Sequence, residues 1–154
     1  MASVGYSGTP LAQKLGLKEG LTVSLVNAPR GLREGLAPLP PRLRFVAEPA
    51  AGVDLVHAFF TERAELARCL AAWRRTLGDA VVLWISWPKK NPKLALRAAA
   101  AKLATDITED VIRELALPLG FVDVKVCAVN EVWSGLKLVV RKELRAGAVR
   151  KGAR

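Results

Sequence analysis

Three long apolar segments constrain the fold of this chain more than any other feature of its sequence. They cover residues 21–28, 53–60 and 80–87, are rich in β-branched residues, and are bounded on at least one side by glycine or proline. A strand buried on one face alternates apolar and polar residues, whereas a strand covered on both faces is a nearly continuous apolar run. These segments therefore predict the central strands of a mainly parallel sheet.

Helical periodicity separates these predicted strands. Apolar residues recur every three or four positions, at Leu66, Leu70, Trp73 and Leu77, and predict a helix from its N-cap Thr61 to Gly78. The other predicted elements are a short helix at residues 10–15 capped by Thr9, a strand at 43–48, a helix from Thr108 to about residue 117, and a hairpin of strands 122–129 and 136–142. Strands that alternate with helices indicate an open α/β sheet with helices on both faces.

Length and charge place these elements in one basic domain. The chain has 154 residues and carries 24 Lys and Arg against 14 Asp and Glu, a formal net charge of +10. We predict a single domain at residues 1–142, with a basic helical insertion at about 91–104 and a basic tail at 143–154. The charge favours phosphates, nucleic acid or another acidic partner. The tail is interpreted either as a solvated extension or as an electrostatic arm for nucleic acid.

The residues present disfavour several classes of protein and site. The apolar runs are shorter than the roughly 20 residues of a membrane-spanning helix. Residues 1–10 lack the pattern of a signal peptide, so we expect a cytoplasmic protein without a membrane partner. Cys69 and Cys127 predict buried, reduced thiols rather than a disulfide framework, and we expect no structural metal. The single histidine, His57, lies in an apolar run and is expected in the core.

The order of the segments resembles the methyltransferase variant of the Rossmann-like fold. Residues 15–25 look like the first strand of that superfamily and its lead-in, 53–56 and 80–85 take the places of its fourth and fifth strands, and 120–126 with the last strand look like its closing hairpin. Residues 48–53 leave no room for a helix and a strand, so the third strand of the standard fold is missing. The resemblance implies an open, mostly parallel sheet with a C-terminal antiparallel hairpin.

Five separated motifs are similar to those of an uncharacterised bacterial family with a domain of unknown function. They are GYSGTPL with KLG near the start, WISWPKK at 84–90, DITEDV at 106–111, DVKVCA at 123–128 and WSGLK at 133–137. The likeness covers nearly the whole chain and implies a small methyltransferase-like fold with no established reaction. The insertion at about 91–104 is longer than the usual family pattern and is the least transferable part.

The turn after the first strand differs from that of an active methyltransferase. In that superfamily a glycine-rich turn lets the backbone approach S-adenosylmethionine. Here the turn is residues 27–31, in which only Gly31 remains of the glycine pattern and Pro29 removes an amide. Glu48 ends the second strand, where an acid would accept hydrogen bonds from ribose hydroxyls. The resemblance therefore leaves S-adenosylmethionine as a candidate cofactor, and a turn adapted to another ligand, or to none, as the other interpretation.

Ligands of open α/β sheets bind beyond the carboxyl ends of the strands, near the switch of strand order. For the predicted strands this rule gathers one set of candidates: Asn27, Arg30, Thr61, Ser86, Trp87, Lys89 and Lys90. The two lysines beside an indole and a hydroxyl are able to hold a phosphate or stack a base. A solvated loop with a core tryptophan is the alternative. Trp84 and Trp87 should point to opposite faces of the sheet.

Two further candidates also have simpler explanations. Asp106 precedes Thr108 and a pair of acids, and this pattern caps a helix without any ligand. Trp133 and Ser134 form either a recognition tip of the hairpin or a cover for the edge of the core. Gly135 is expected in the hairpin connection, where glycine suits the backbone.

The sequence supports three hypotheses for the function, of which the third is nucleic-acid binding through the basic tail and the insertion. The first is a binding or regulatory module whose altered turn, lysine pair and net charge suit an anionic ligand, either a nucleotide, a phosphometabolite or nucleic acid. The second is a divergent S-adenosylmethionine-dependent methyltransferase that uses Glu48 and the turn at residues 27–31 in an unusual way.

Overall fold

A computed structural model describes residues 9–89 and 104–145. Its strands are β1 (Thr22–Val26), β2 (Arg44–Val46), β3 (Leu55–Phe59), β4 (Val82–Pro88), β5 (Phe121–Ala128) and β6 (Trp133–Val140). Its helices are α1 (Leu11–Leu15), α2 (Leu32–Gly35), α3 (Arg63–Thr76) and α4 (Glu109–Ala116), with 3-10 turns at Leu117–Leu119 and Lys142–Leu144. The predicted insertion at 91–104, apart from its last residue, and the tail from residue 146 onward lie outside the described residues, as does Lys90.

The strands form one six-stranded sheet in the order β2-β1-β3-β4-β6-β5. The first four strands of this order are parallel, and β6 lies antiparallel to both β4 and β5. Residues 47–54 connect β2 directly to β3, which lies on the other side of β1. This confirms the predicted open, mostly parallel sheet with a C-terminal hairpin and without a strand between β2 and β3.

The sheet is covered on both faces. On the α3 face, Leu66 and Leu70 of α3 and Ile112 of α4 pack against apolar residues of β3, β4, β5 and β6 in the largest core cluster. On the α1 face, Leu15 and Leu36 pack around Trp84. Trp87 belongs to the α3-face core. The predicted opposite orientation of the two tryptophans of β4 is therefore confirmed.

Helix ends differ from the predictions in two places and agree in a third. Helix α3 begins at Arg63 after Glu62, not after Thr61, whose carbonyl instead accepts a hydrogen bond from Thr105 Oγ1 at 2.6 Å. Helix α1 begins at Leu11, so Pro10 rather than Thr9 occupies the N-cap position. Thr108 does cap α4, since its Oγ1 accepts a hydrogen bond from the Val111 amide at 3.1 Å.

The hairpin connection was predicted too long. Strand β6 begins at Trp133, and the turn before it is held by Asn130, whose side-chain oxygen accepts hydrogen bonds from the Val132 and Trp133 amides at 2.8 and 2.9 Å. Gly135 therefore lies inside β6, opposite Ser86. A Cβ atom at Gly135 would lie 3.2 Å from Ser86 Oγ and 3.3 Å from the Trp84 ring, so glycine here makes room for two side chains of β4.

The expected burial of the two cysteines is also corrected. Cys69 and Cys127 are unpaired thiols, but both are half-buried rather than buried, and desolvation raises the pKa of each. Beyond the last strand, Leu144 packs against the α3-face core and Arg145 Nε donates a hydrogen bond to the Val140 carbonyl at 3.0 Å. None of the described helices has the length and apolar character needed to cross a bilayer.

Candidate functional site

The carboxyl ends of β1 and β3 mark the switch of strand order in this sheet. The chain leaves β1 toward β2 on one side, while β3 and β4 lie on the other. Open α/β sheets bind ligands in the crevice outside such a point. Three of the predicted site residues, Asn27, Thr61 and Lys89, follow β1, β3 and β4 at this edge. We call it the carboxyl edge.

The turn after β1 has an unusual backbone. Asn27 has a φ of 56° and Gly31 a φ of 86°, so both are left-handed. Asparagine tolerates this conformation better than most residues, and glycine adopts it freely. Gly31 is also the N-cap of α2, so the turn leads directly into a short helix.

The Asn27 side chain bridges the ends of two strands. Its Nδ2 donates a hydrogen bond to the Phe59 carbonyl at 3.1 Å. Because Asn27 follows β1 and Phe59 ends β3, the amide spans the switch point itself. Pro29, in the same turn, has no amide to donate to a ligand.

Substitutions at Asn27 test this geometry. We expect Asn27→Ala to be less stable than Asn27→Gly by about 1 kcal/mol, because both lose the bridge but only alanine is strained at a left-handed φ. Urea unfolding of the two variants and the wild type measures the difference. Equal stability of the two variants would mean that the residue is not held left-handed in solution.

Two cations of the predicted set belong to this edge. Arg30 is exposed and forms no ion pair within residues 9–89 and 104–145. The Lys89 backbone amide donates a hydrogen bond to the Val132 carbonyl at 2.8 Å, which ties the end of β4 to the β5–β6 turn. The third predicted cation, Lys90, lies outside the described residues.

Three of the predicted site residues are buried. Ser86 is 0% exposed, Trp87 9% and Trp133 7%. Trp133 packs edge-on against the Phe59 ring, with ring centroids 5.1 Å apart, so it covers the core edge. Ser86 and Trp87 were predicted at the carboxyl edge because the strand was expected to end before Pro88. Strand β4 instead continues through Pro88 and holds both residues in the sheet.

A buried polar pair was missed by the sequence reasoning. His57 Nε2 lies 2.8 Å from Ser86 Oγ, and the imidazole stacks on Phe59 with ring centroids 4.4 Å apart. His57 is 1% exposed, and its Nδ1 is buried without a hydrogen-bond partner among the described residues. Burial lowers the pKa of His57 to about 3, so the ring is neutral near pH 7.

The pair is structural rather than nucleophilic. Neither side chain reaches the surface. In the part of the chain that the structure describes, no group orients the imidazole through Nδ1, as a catalytic serine and histidine require. The tautomer protonated at Nε2 donates to Ser86 and leaves only a lone pair at Nδ1, which avoids burying an unpaired N–H. His57 was correctly expected in the core, but its partner depends on strand register, which the spacing of 57 and 86 does not give.

Glu48 lies beside β2, whereas Asp106 lies at the start of α3, which follows β3. Glu48 lines an open cavity of about 570 Å³ beside β2, together with Arg44 and residues 50–53. A second cavity, of about 310 Å³, lies between Arg33 of α2 and residues 45–47. Asp106 accepts a hydrogen bond from the Arg63 amide at 2.7 Å and so caps α3. Neither cavity is lined by Asn27, Arg30, Thr61 or Lys89.

The described residues contain no group of three or more His, Cys, Asp or Glu side chains that could hold a metal ion. At the carboxyl edge, Arg30, Lys89 and the backbone atoms of the turn are candidate contacts for a ligand.

Comparison with solved structures gives matches at low sequence identity. The chain is similar to a protein provisionally described as a type 11 methyltransferase from Sulfolobus solfataricus, with 14% identity, a TM-score of 0.57, and coverage of 91% of this chain and 95% of that chain. It is similar to a SAM-dependent methyltransferase from Aquifex aeolicus, with 15% identity, a TM-score of 0.57, and coverage of 85% and 88%.

A third match is N,N-8-amino-8-demethyl-D-riboflavin dimethyltransferase from Streptomyces davawensis, with 15% identity, a TM-score of 0.57, and coverage of 79% of this chain. The chain spans only 50% of the length of that protein. No family model matches the sequence, and no curated protein matches it. The strand order and these likenesses together show that the chain has the methyltransferase form of the Rossmann-like α/β fold.

Proposed function

We propose that this domain is a binding or regulatory module for a small anionic ligand that carries a phosphate group, a nucleotide or a phosphometabolite, held at the carboxyl edge. The observation that carries the proposal is the bridge from Asn27 Nδ2 to the Phe59 carbonyl. A side chain spans the point where the backbone of a glycine-rich turn would approach a methyl donor.

The positive charges of two side chains at the carboxyl edge support the binding of an anionic ligand. Arg30 lies in the turn after β1 and Lys89 follows β4, and these two strands are separated only by β3. Neighbouring strands are about 4.8 Å apart, so the two strand ends are separated by about 10 Å. Long basic side chains at that spacing are able to reach the oxygens of one phosphate-bearing ligand from two sides.

A cytoplasmic location remains a prediction from the sequence.

The second candidate function is S-adenosylmethionine-dependent methyl transfer. The matching structures favour it, because the SAM-dependent methyltransferase from Aquifex aeolicus shares most of its length with this chain. Glu48 also lies two residues beyond β2, at the strand end where an acid would accept ribose hydroxyl hydrogen bonds. Against it, Glu48 lines a cavity that does not include the turn after β1.

A ligand titration tests the proposal. We expect ATP to raise the melting temperature of the full chain, since a ligand at 100 times its Kd stabilises the native state by about 2.7 kcal/mol. Replacing Arg30→Gln and Lys89→Gln together should weaken ATP binding by about tenfold or more, because a hydrogen bond to a charged group contributes about 1.5–3 kcal/mol. Isothermal titration calorimetry gives both affinities.

The matched control is Arg68→Gln with Arg75→Gln, which removes two exposed cations from α3. It should leave ATP binding unchanged. A melting shift with S-adenosylmethionine but not with ATP, lost in Glu48→Ala, would instead establish the methyl-donor reading. Equal losses of ATP affinity in the site and control variants would show that net charge alone attracts the ligand.

A further inference from the structure

Four lysines gather on the α1 face of the sheet, away from the carboxyl-edge residues. Lys125 of β5 and Lys137 of β6 are partners in register. Side chains directly opposite on antiparallel strands point to the same face, with Cβ atoms about 5 Å apart. Lys137 is also in register with Trp84 of β4, which lies on the α1 face. Lys125 and Lys137 therefore project from that face.

Helix α1 brings the other two lysines to the same place. Trp84 Nε1 donates a hydrogen bond to the Leu15 carbonyl at 2.8 Å, which fixes the end of α1 beside the strand position next to Lys137. Lys14 and Lys18 lie on either side of Leu15 in the chain. We call Lys14, Lys18, Lys125 and Lys137 the lysine surface.

The four ammonium groups are close enough to influence the same titratable side chains. Desolvation lowers the pKa of Lys137, and the positive charges of Lys125 and Lys18 lower it further. Lys14 and Lys125 both act on the Cys127 thiol, where they oppose the rise of its pKa. The four side chains therefore form one electrostatic group.

Nothing acidic neutralises this group. None of the four lysines forms an ion pair within the two described ranges, and all 14 acidic residues of the chain lie in those ranges. The nearest acids in the sequence are engaged elsewhere. Glu19 pairs with Arg42, and Asp123 accepts a hydrogen bond from Arg113 at 3.0 Å. Like charges directly opposite in a sheet are unfavourable, so an external anion would relieve a real repulsion.

The spread of the lysine surface over two strands and the end of α1 favours an extended anion. Neither of the cavities beside β2 is lined by any of the four lysines. Small ligands bind in concave sites, whereas a polyanion is held by cations spread over an open surface, with release of its counterions. The exposed large apolar side chains of the described residues are all aliphatic, so this surface lacks the aromatic platforms that bind single strands.

We propose that the lysine surface binds the phosphate backbone of double-helical nucleic acid, without preference for sequence. Lysine is a point charge that contacts phosphates and positions a protein on a duplex, whereas sequence is read by contacts to base edges. The proposal uses none of the residues of the carboxyl edge. It stands or falls separately from the small-ligand function.

The test is salt-dependent binding of the full chain to a fluorescent 20-bp duplex of mixed sequence, as DNA and as RNA, measured by anisotropy. Lys125→Gln with Lys137→Gln should raise the Kd by roughly tenfold at 0.1 M salt. The slope of log K against log salt should fall by about 1.8, since each lost phosphate contact removes about 0.9. The control is Arg68→Gln with Arg75→Gln, on the opposite face of the sheet, which should keep the wild-type slope.

A second variant separates loss of binding from loss of folding. Lys125→Glu places an acid opposite Lys137, so it should keep or raise the melting temperature while weakening duplex binding at least as much as the double variant. An unchanged slope in the lysine variants, or an equal fall in the α3 control, would overturn the proposal. So would binding of the wild type to phosphatidylserine vesicles with no binding to either duplex.

Discussion

Lowering the pH from 7 to 5 is expected to reduce the free energy of unfolding by about 2 kcal/mol through His57 alone. Burial lowers the pKa of His57 in the folded protein to about 3, from the usual 6.5 of a histidine. Below pH 6.5 the unfolded chain therefore binds a proton that the folded chain does not, and stability is lost as the pH falls toward 3. Protonation of the folded state would bury a charge and an unpaired N–H at Nδ1.

The variant His57→Gln isolates this effect. Its amide retains a group able to bond to Ser86 but cannot titrate, and the chain has only one histidine, so no other imidazole contributes between pH 5 and 7. Urea unfolding at pH 5, 6 and 7 should show a steeper fall in the wild type than in the variant, by about 2 kcal/mol over the interval. Parallel curves would show that His57 is not buried and neutral in solution.

Removing the Trp84 side chain is expected to be the most destabilising single truncation. Trp84 is 0% exposed, packs with Leu15, Leu36 and Leu55, and donates its indole N–H to the Leu15 carbonyl. Trp84→Ala should cost about 3–5 kcal/mol, because it loses apolar contacts and leaves a cavity. Chemical denaturation measures the loss.

Trp84→Phe tests the attachment of α1 with a smaller loss of packing than Trp84→Ala. It keeps an aromatic ring but leaves the buried Leu15 carbonyl without its donor, at a cost of about 1–3 kcal/mol. Trypsin cuts after lysine, so cleavage after Lys14 and Lys18 should become faster as α1 detaches. The matched variant Trp87→Phe changes the same strand on the opposite face and should leave that cleavage unchanged. Equal cleavage in both variants would mean that the indole hydrogen bond does not hold α1.

The architecture was largely predictable because burial leaves a mark on the sequence. Continuous apolar runs predicted β1, β3 and β4 as central strands. The short connection between Glu48 and Val53 predicted that no strand lies between β2 and β3 in the chain, and the described sheet has none there. The periodicity of apolar residues predicted helix α3 but not its cap. The Arg63 amide donates its hydrogen bond to Asp106, which is far away in the sequence. Local patterns thus predict elements and their burial.

The site was predictable only where it depends on strand ends. Asn27, Arg30, Thr61 and Lys89 were placed at the carboxyl edge by the general rule for open sheets, and the structure places them there. Register is a different matter, because a shift by one residue exchanges every partner across a pair of strands. The pairs His57 with Ser86, Ser86 with Gly135, and Lys125 with Lys137 all depend on register, so no sequence pattern indicated them.

The order of the last two strands has a consequence for how the chain folds during synthesis. Of the described strands, β6 is made last but lies between β4 and β5, and β5 pairs with none of the others. While the ribosome still holds residues 133–140, β4 therefore exposes an unpaired edge and β5 has no neighbour. The nascent domain cannot complete its sheet until almost the whole described chain has emerged. Until then, the exposed edge of β4 and the unpaired β5 can pair with strands of other chains.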